Sequence, residues 1–96
     1  MIMSVRLGSE LKRQIRKRQL PSYILVKLQD WVEDVEERGL EEVRKIPGYH
    51  DEPLSGGLAG TRSIRLGKGW RAYYRILKDQ IEFVSIERID KHEYGK

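Results

Sequence analysis

The sequence predicts an α+β domain: an N-terminal strand, a helical hairpin, then a three-strand antiparallel meander forming one twisted sheet with the helices on one face. Three observations predict it. Apolar residues recur at three and four spacing through the first half of the chain and at period two in the last third. The two halves are joined by a stretch rich in glycine and proline, a connector rather than a domain linker, since the strands beyond it cannot bury a face alone. With 96 residues, the chain has material for one domain, residues 1–96, so helices and strands must share a core.

In order, "MIMSVRL" alternates Met3, Val5 and Leu7 against Ser4 and Arg6 and reads as a strand. Gly8 and Ser9 break it, and Ser9 suits the N-cap of a helix over "ELKRQIRKRQ". That helix has a thin apolar stripe, Leu11 and Ile15, and a wide cationic face. "LP" interrupts it. A second helix starts near Pro21 or Ser22, with Ile24, Leu25, Leu28, Trp31, Val32 and Val35 on one face and Gly39 as its stop. "LEEVRKI" adds Leu40, Val43 and Ile46 to the core. After the connector "PGYHDEPLSGGLAG" come "TRSIRL", "WRAYYRIL" and "QIEFVSIER", rich in β-branched and aromatic residues and separated by turns short enough for hairpins.

Composition narrows the class. Hydrophobic residues make 39% of the chain and charged residues 35%, a globular profile with a heavily charged surface. The absence of cysteine excludes a disulfide scaffold and thiolate metal sites, and fits a cytoplasmic location. No apolar run reaches the roughly 20 residues a membrane helix needs, and the start lacks the layout of a signal peptide. The net charge of +4 is unevenly spread. Residues 10–20 carry five cations, Lys12, Arg13 and Arg16 among them, against Glu10; residues 30–42 carry seven acids against Arg38; the last third is basic again. Basic zones on a small domain point to a polyanion, nucleic acid first. The alternative is two solvated helix faces.

Alternation sorts the strands. Ile64 and Leu66 share one face, with Ser63 and Arg65 opposite; Ala72, Tyr74 and Ile76 share one, with Arg71, Tyr73 and Arg75 opposite. The apolar set should pack on the helices, leaving Arg71 among arginines turned to solvent around a tyrosine. Guanidinium forks match phosphate oxygens and aromatic rings stack on bases, so that face reads as an interface for single-stranded nucleic acid. Beyond the last strand stand Asp90, His92 and Tyr94. An imidazole moves protons near neutral pH, and a phenol does so where cations lower its pKa. Cleaving RNA needs a base for the 2′-OH, an acid for the leaving oxygen and fixed cations for the charge between them. The competing reading is a frayed polar tail. "HDE" at 50–52 with His92 lacks metal-site spacing, and "GGLAG" lacks the lysine of a phosphate loop. No metal and no cofactor is expected.

"EPLSGGLAGTRSIRLGKGWRAYYRI" followed by "IEFVSIERIDKHEYGK" resembles the RelE/ParE superfamily of toxins from bacterial toxin–antitoxin pairs. The resemblance is specific over residues 53–94 and architectural over 1–52. It implies a RelE-like fold, a cognate antitoxin as partner and, in the ribonuclease branch, metal-independent cleavage of mRNA, commonly on the ribosome. It places Arg65 and Arg71 where that family holds the scissile phosphate, Arg88 near a further basic position, and His92 and Tyr94 at the C-terminal catalytic positions. Tyr73 becomes a stacking surface, and Arg75, Lys68, Lys91, Lys12, Arg13 and Arg16 further RNA contacts. Two residues depart from it: Ser63 stands where some ribonuclease members have a second lysine, and Asp90 where many members have a basic residue. The other branch poisons DNA gyrase on the same fold and typically lacks the C-terminal catalytic residues. A small RNA-binding domain without an antitoxin is a third reading.

Overall fold

The computed structural model describes residues 4–89. Strand β1 (Val5–Leu7) leads into helix α1 (Ser9–Arg16), helix α2 (Ser22–Arg38) and a single helical turn, α3 (Leu40–Val43). Strands β2 (Glu52–Pro53), β3 (Thr61–Gly67), β4 (Trp70–Leu77) and β5 (Gln80–Arg88) follow. They form one sheet in the order β1-β5-β4-β3-β2. The expected meander is its centre. β1 adds a parallel edge against β5, and the connector contributes β2 antiparallel to β3 at the other edge, a strand the sequence reading did not include. At two residues with a proline, β2 sits where proline is tolerated, on an edge.

α1 is shorter than expected and takes Gly8, not Ser9, as its N-cap. The reason is the sheet. Gly8 N–H donates to Phe83 O at 2.7 Å, continuing the β1–β5 ladder, and a Cβ there would stand 2.7 Å from the same oxygen. Only glycine permits that approach. Past Phe83, β1 has ended and the β5 edge would be bare. Gln14 covers it: its amide donates to Ile86 O at 2.7 Å and accepts from Ile86 N–H at 2.9 Å. A buried side chain thus stands in for a missing strand.

Helices α1 and α2 bury Leu11, Ile24, Leu28, Trp31 and Val35 against Ile64, Leu66, Ala72, Tyr74, Ile81, Phe83 and Ile86 in one cluster. Trp31 is its hub, with ring centroids 5.2 Å from Tyr74 and 5.1 Å from Phe83. Leu40 and Val43 are buried too, as expected. Ile76, assigned to the core by alternation, is 41% exposed, because the helix layer does not extend over the β4–β5 turn.

One irregularity decides the opposite face. Tyr73 pairs with Ser85 but Tyr74 with Phe83, so Val84 is an extra residue in β5. Without the bulge, Ile81 and Ile86 would lie on opposite faces. With it, both reach the core. The same shift brings Glu82 and Glu87 together on the open face, opposite Arg75 and Arg71.

Candidate nucleic-acid interface

The open face carries the predicted Arg65, Arg71, Tyr73 and Arg75, but their surroundings differ from the sequence expectation. Arg71 is not turned freely to solvent. Its side chain is 17% exposed. Nε and Nη2 both donate to Ser63 Oγ, at 3.0 and 2.7 Å, and Nη2 also reaches His50 O at 3.1 Å and Glu52 Oε1 at 3.4 Å. Ser63 of β3 and the connector folded over the sheet edge together take up half the guanidinium. Nη1 makes no hydrogen bond among the described residues, so Arg71 is held on one side and available on the other.

That connector is itself pegged to the sheet. The Asp51 side chain is fully buried, with Oδ1 2.6 Å from Arg62 Nε and Oδ2 accepting from the Tyr74 hydroxyl. Burial first, then the bond to Asp51 and its charge, raise the Tyr74 phenol well above its ordinary value. Arg62 pairs in register with Tyr74, on the helix-bearing side, and the buried Asp51 carboxylate is its counter-ion. His50, next to this peg, adopts a left-handed backbone at φ 48°.

Arg75 is also engaged. Its guanidinium lies 2.7 Å from Glu82 Oε1, and Arg6 Nε lies 3.4 Å from Oε2. Glu82 is buried between them. Over β1, β5 and the far half of β4, the open face is thus closed by its own charge pairs. Between them and the connector lies a hollow of about 370 Å³, bounded by Thr61, Tyr73, Arg75, Ser85 and Glu87 around the Val84 bulge.

The unengaged cations gather at the other end. Arg65 and Lys68 are exposed and form no ion pair among the described residues. β5 also finishes there: Ile89 N–H donates to Gly69 O, in the β3–β4 turn, at 2.6 Å. Lys91, His92 and Tyr94 lie outside the described residues. Arg88 ends β5 as expected, but its register pairs it with Trp70, on the helix-bearing side, and its guanidinium stands 5.9 Å over that ring. Lys12, Arg13 and Arg16 are exposed on α1, which packs on the helix side, and Arg13 lies 3.6 Å from Glu10. The structure does not bring them, or Arg88, to the open face.

Sequence reasoning missed Glu52, Glu82 and Glu87 on this face. The signal for the last two was present: the apolar residues of "IEFVSIE" change parity between Phe83 and Ile86, as a bulge requires. Among the described residues, no three His, Cys, Asp or Glu side chains converge on a metal position. No described helix is long and apolar enough to cross a membrane.

No protein-family model and no curated protein matches the sequence. Solved structures do. YafQ from E. coli strain BL21(DE3) superposes with a TM-score of 0.71 at 14% identity, covering 97% of this chain and 98% of that one. The chain has the fold of the RelE/YoeB-like toxins. The RelBE2 toxin–antitoxin complex from Mycobacterium tuberculosis gives 0.64 at 24% identity over 92% of this chain and 99% of its match. The YoeB–YefM toxin–antitoxin heterotetramer from Staphylococcus aureus gives 0.68 at 15% identity, over 91% and 97%. With the RelE-like fold given, Arg65 and Arg71 stand side by side on the central strands, as a register pair of β3 and β4.

Proposed function

We propose that this chain is the toxin of a type II toxin–antitoxin module, a metal-independent endoribonuclease that cuts mRNA on the ribosome and is neutralised by a cognate antitoxin. The observation that carries the reading is the pair Arg65 and Arg71, two cations on adjacent strands of a RelE-like sheet, one held in place and one without an ion pair among the described residues. Solved relatives of this fold are toxins, two of them captured with antitoxins.

The chemistry follows from the side chains. Arg71, fixed by Ser63 and His50 O, presents Nη1 without having to be ordered during the reaction. Arg65 adds a second charge beside it. Together they stabilise the extra negative charge that forms as a 2′-oxygen attacks the neighbouring phosphorus and the 5′-oxygen leaves. His92 and Tyr94 serve as base and acid, one taking the 2′-OH proton and the other protonating the leaving oxygen. Tyr73, beside the open-face hollow, offers a ring for a base to stack on.

The test is translation of a defined mRNA by purified ribosomes with mapped 5′ ends, comparing wild type, Arg65→Ala, and His92→Ala with Tyr94→Phe. Discrete cuts that disappear in the variants support the reading. A folded wild-type protein that is toxic to cells but leaves the mRNA whole refutes it.

A further inference from the structure

A second concavity lies away from the open-face hollow, between α2 and the β3–β4 turn. It holds about 280 Å³ and is lined by Lys27, Tyr49, Arg65 and Lys68, with the backbone of Gly67 in its wall. Two features of the fold create it. At Gly67 a Cβ would stand 3.1 Å from Ile24 Cδ1, tighter than most side chains allow, so the absence of one lets the strand end lie directly against α2. Pro47–Tyr49, a turn of 3-10 helix, closes the third side.

Its charge is one-sided. Lys27, Arg65 and Lys68 are all exposed, and none forms an ion pair among the described residues. Elsewhere on this molecule, Arg6, Arg62, Arg71 and Arg75 are each bound to an acid. Three clustered cations without a counter-ion among the described residues repel one another, and an anion placed between them relieves that repulsion. Tyr49 marks the boundary. Its hydroxyl donates to Asp34 at 3.0 Å, and behind it α2 presents Asp30, Glu33 and Glu37. A polyanion entering the recess would be attracted on one side of that ring and repelled on the other.

We propose that this recess is a backbone-phosphate subsite for the RNA strand, holding a nucleotide that flanks the scissile one through Lys27, Arg65 and Lys68. The inference rests on the ribonuclease reading. Arg65 is paired in register with Arg71 and also lines the recess, so it joins the subsite to the cut. The aromatic wall of Tyr49 gives the nucleoside an apolar surface, and the acidic flank of α2 fixes the side from which the strand must approach. Lys27 thereby acquires a role that its place on a helix whose other charges, Arg38 apart, are acidic does not suggest.

The test uses Lys27→Ala with Lys68→Ala, and Lys27→Arg with Lys68→Arg as the charge-preserving control, each checked for an unchanged urea midpoint. Cleavage kinetics on purified ribosomes are measured together with anisotropy of a fluorescent, unstructured 20-nucleotide RNA over a range of salt. The expected alanine result is a KM raised about tenfold with kcat within about twofold. Affinity for the free RNA should fall in parallel, and its logarithmic salt slope should shrink by about 0.7, the value for one lost phosphate contact on a single strand. The arginine pair should restore all three. Cleavage by wild type with an unchanged KM and salt slope in the alanine variant would overturn the subsite and leave the nuclease reading standing. A raised KM with unchanged affinity for free RNA would overturn it too, assigning the lysines to ribosomal RNA. Absence of cleavage by wild type would overturn both.

Discussion

Asp51→Ala should be among the most damaging single substitutions outside the aromatic core. The carboxylate has no exposed surface and serves two partners, the part-buried Arg62 at 2.6 Å and the buried Tyr74 hydroxyl. Its removal leaves a fully buried phenol without an acceptor, a loss of about 1–3 kcal/mol. It also leaves a guanidinium that is only 18% exposed without its counter-ion. Breaking a buried pair from one side costs about 3–5 kcal/mol in all, a large share of the roughly 5–15 kcal/mol that holds a small domain together. Tyr74→Phe removes the hydroxyl but leaves the ion pair, and should cost about 1–2 kcal/mol. The double variant has no orphaned hydroxyl, so it should be less destabilised than the two singles added together, by about 1–2 kcal/mol. Urea denaturation followed by tryptophan fluorescence, with the slope checked for constancy, measures all three. The peg also holds His50 O and Glu52 against Arg71. Any folded Asp51→Ala protein should therefore lose RNA cleavage beyond its unfolded fraction. A cost below about 0.5 kcal/mol, within the range of surface substitutions, would refute the argument, as would strict additivity with Tyr74→Phe.

Gln14→Leu should cost about 2–4 kcal/mol, because the N–H and C=O of Ile86 both lose their partner; the urea midpoint reports it. Trp31→Ala should cost about 3–5 kcal/mol by the same measurement, since the ring sits between Tyr74 and Phe83 in the buried cluster. Arg71→Ala should lower stability by about 1–2 kcal/mol as well as activity, and Arg71→Lys should recover little of the cleavage, because an ammonium cannot hold Ser63 and a phosphate at once. The Tyr49 phenol is pushed up to about 12 by burial, then by its bond to Asp34. A raised pKa means the fold favours the protonated form. Its contribution is full below the ordinary phenol value near 10 and is lost as pH rises through about 12. Tyr49→Phe should therefore show a shallower fall in stability between those limits than wild type, measured by denaturation at stepped pH.

What the sequence revealed and what it hid follow from the range of the interactions concerned. The α2 stripe from Ile24 to Val35 repeats every three or four residues, so neighbours in the chain already state which side is buried. The faces of β3 and β4 were legible for the same reason: alternation is local, and Ile64 against Arg65 or Tyr74 against Tyr73 needs no knowledge of a partner. The Val84 bulge was written locally, in the parity change of "IEFVSIE", and was missed; the buried pairings are non-local. Asp51 reaches Tyr74 across 23 positions and Gln14 reaches Ile86 across 72. Nothing near Gln14 distinguishes it from a surface glutamine until β1 ends at Leu7 and leaves the β5 edge beyond Phe83 uncovered. The fold and the orientation of the open face were therefore readable, while the state of each arginine on it was not.

That difference bears directly on where RNA would run. Counting arginines along β4 implied a uniformly cationic surface. The bulge at Val84 instead sets Glu82 and Glu87 opposite Arg75 and Arg71, and the connector brings Glu52 beside Arg71. Charges already paired at 2.7 Å give a phosphate little to gain, since it must first displace a carboxylate that is buried and well placed. Attraction is then left to the cations without acids, and those described near the open face are Arg65 and Lys68, with Lys27 behind them. A strand drawn to these would cross the sheet at the β3–β4 turn, where β5 ends at Ile89 against Gly69, rather than lie along the β1 edge. Charge reversal discriminates the two paths: Lys68→Glu should weaken RNA binding strongly, whereas Arg6→Glu, placed beside the already buried Glu82, should cost stability with little effect on the RNA affinity of the folded fraction.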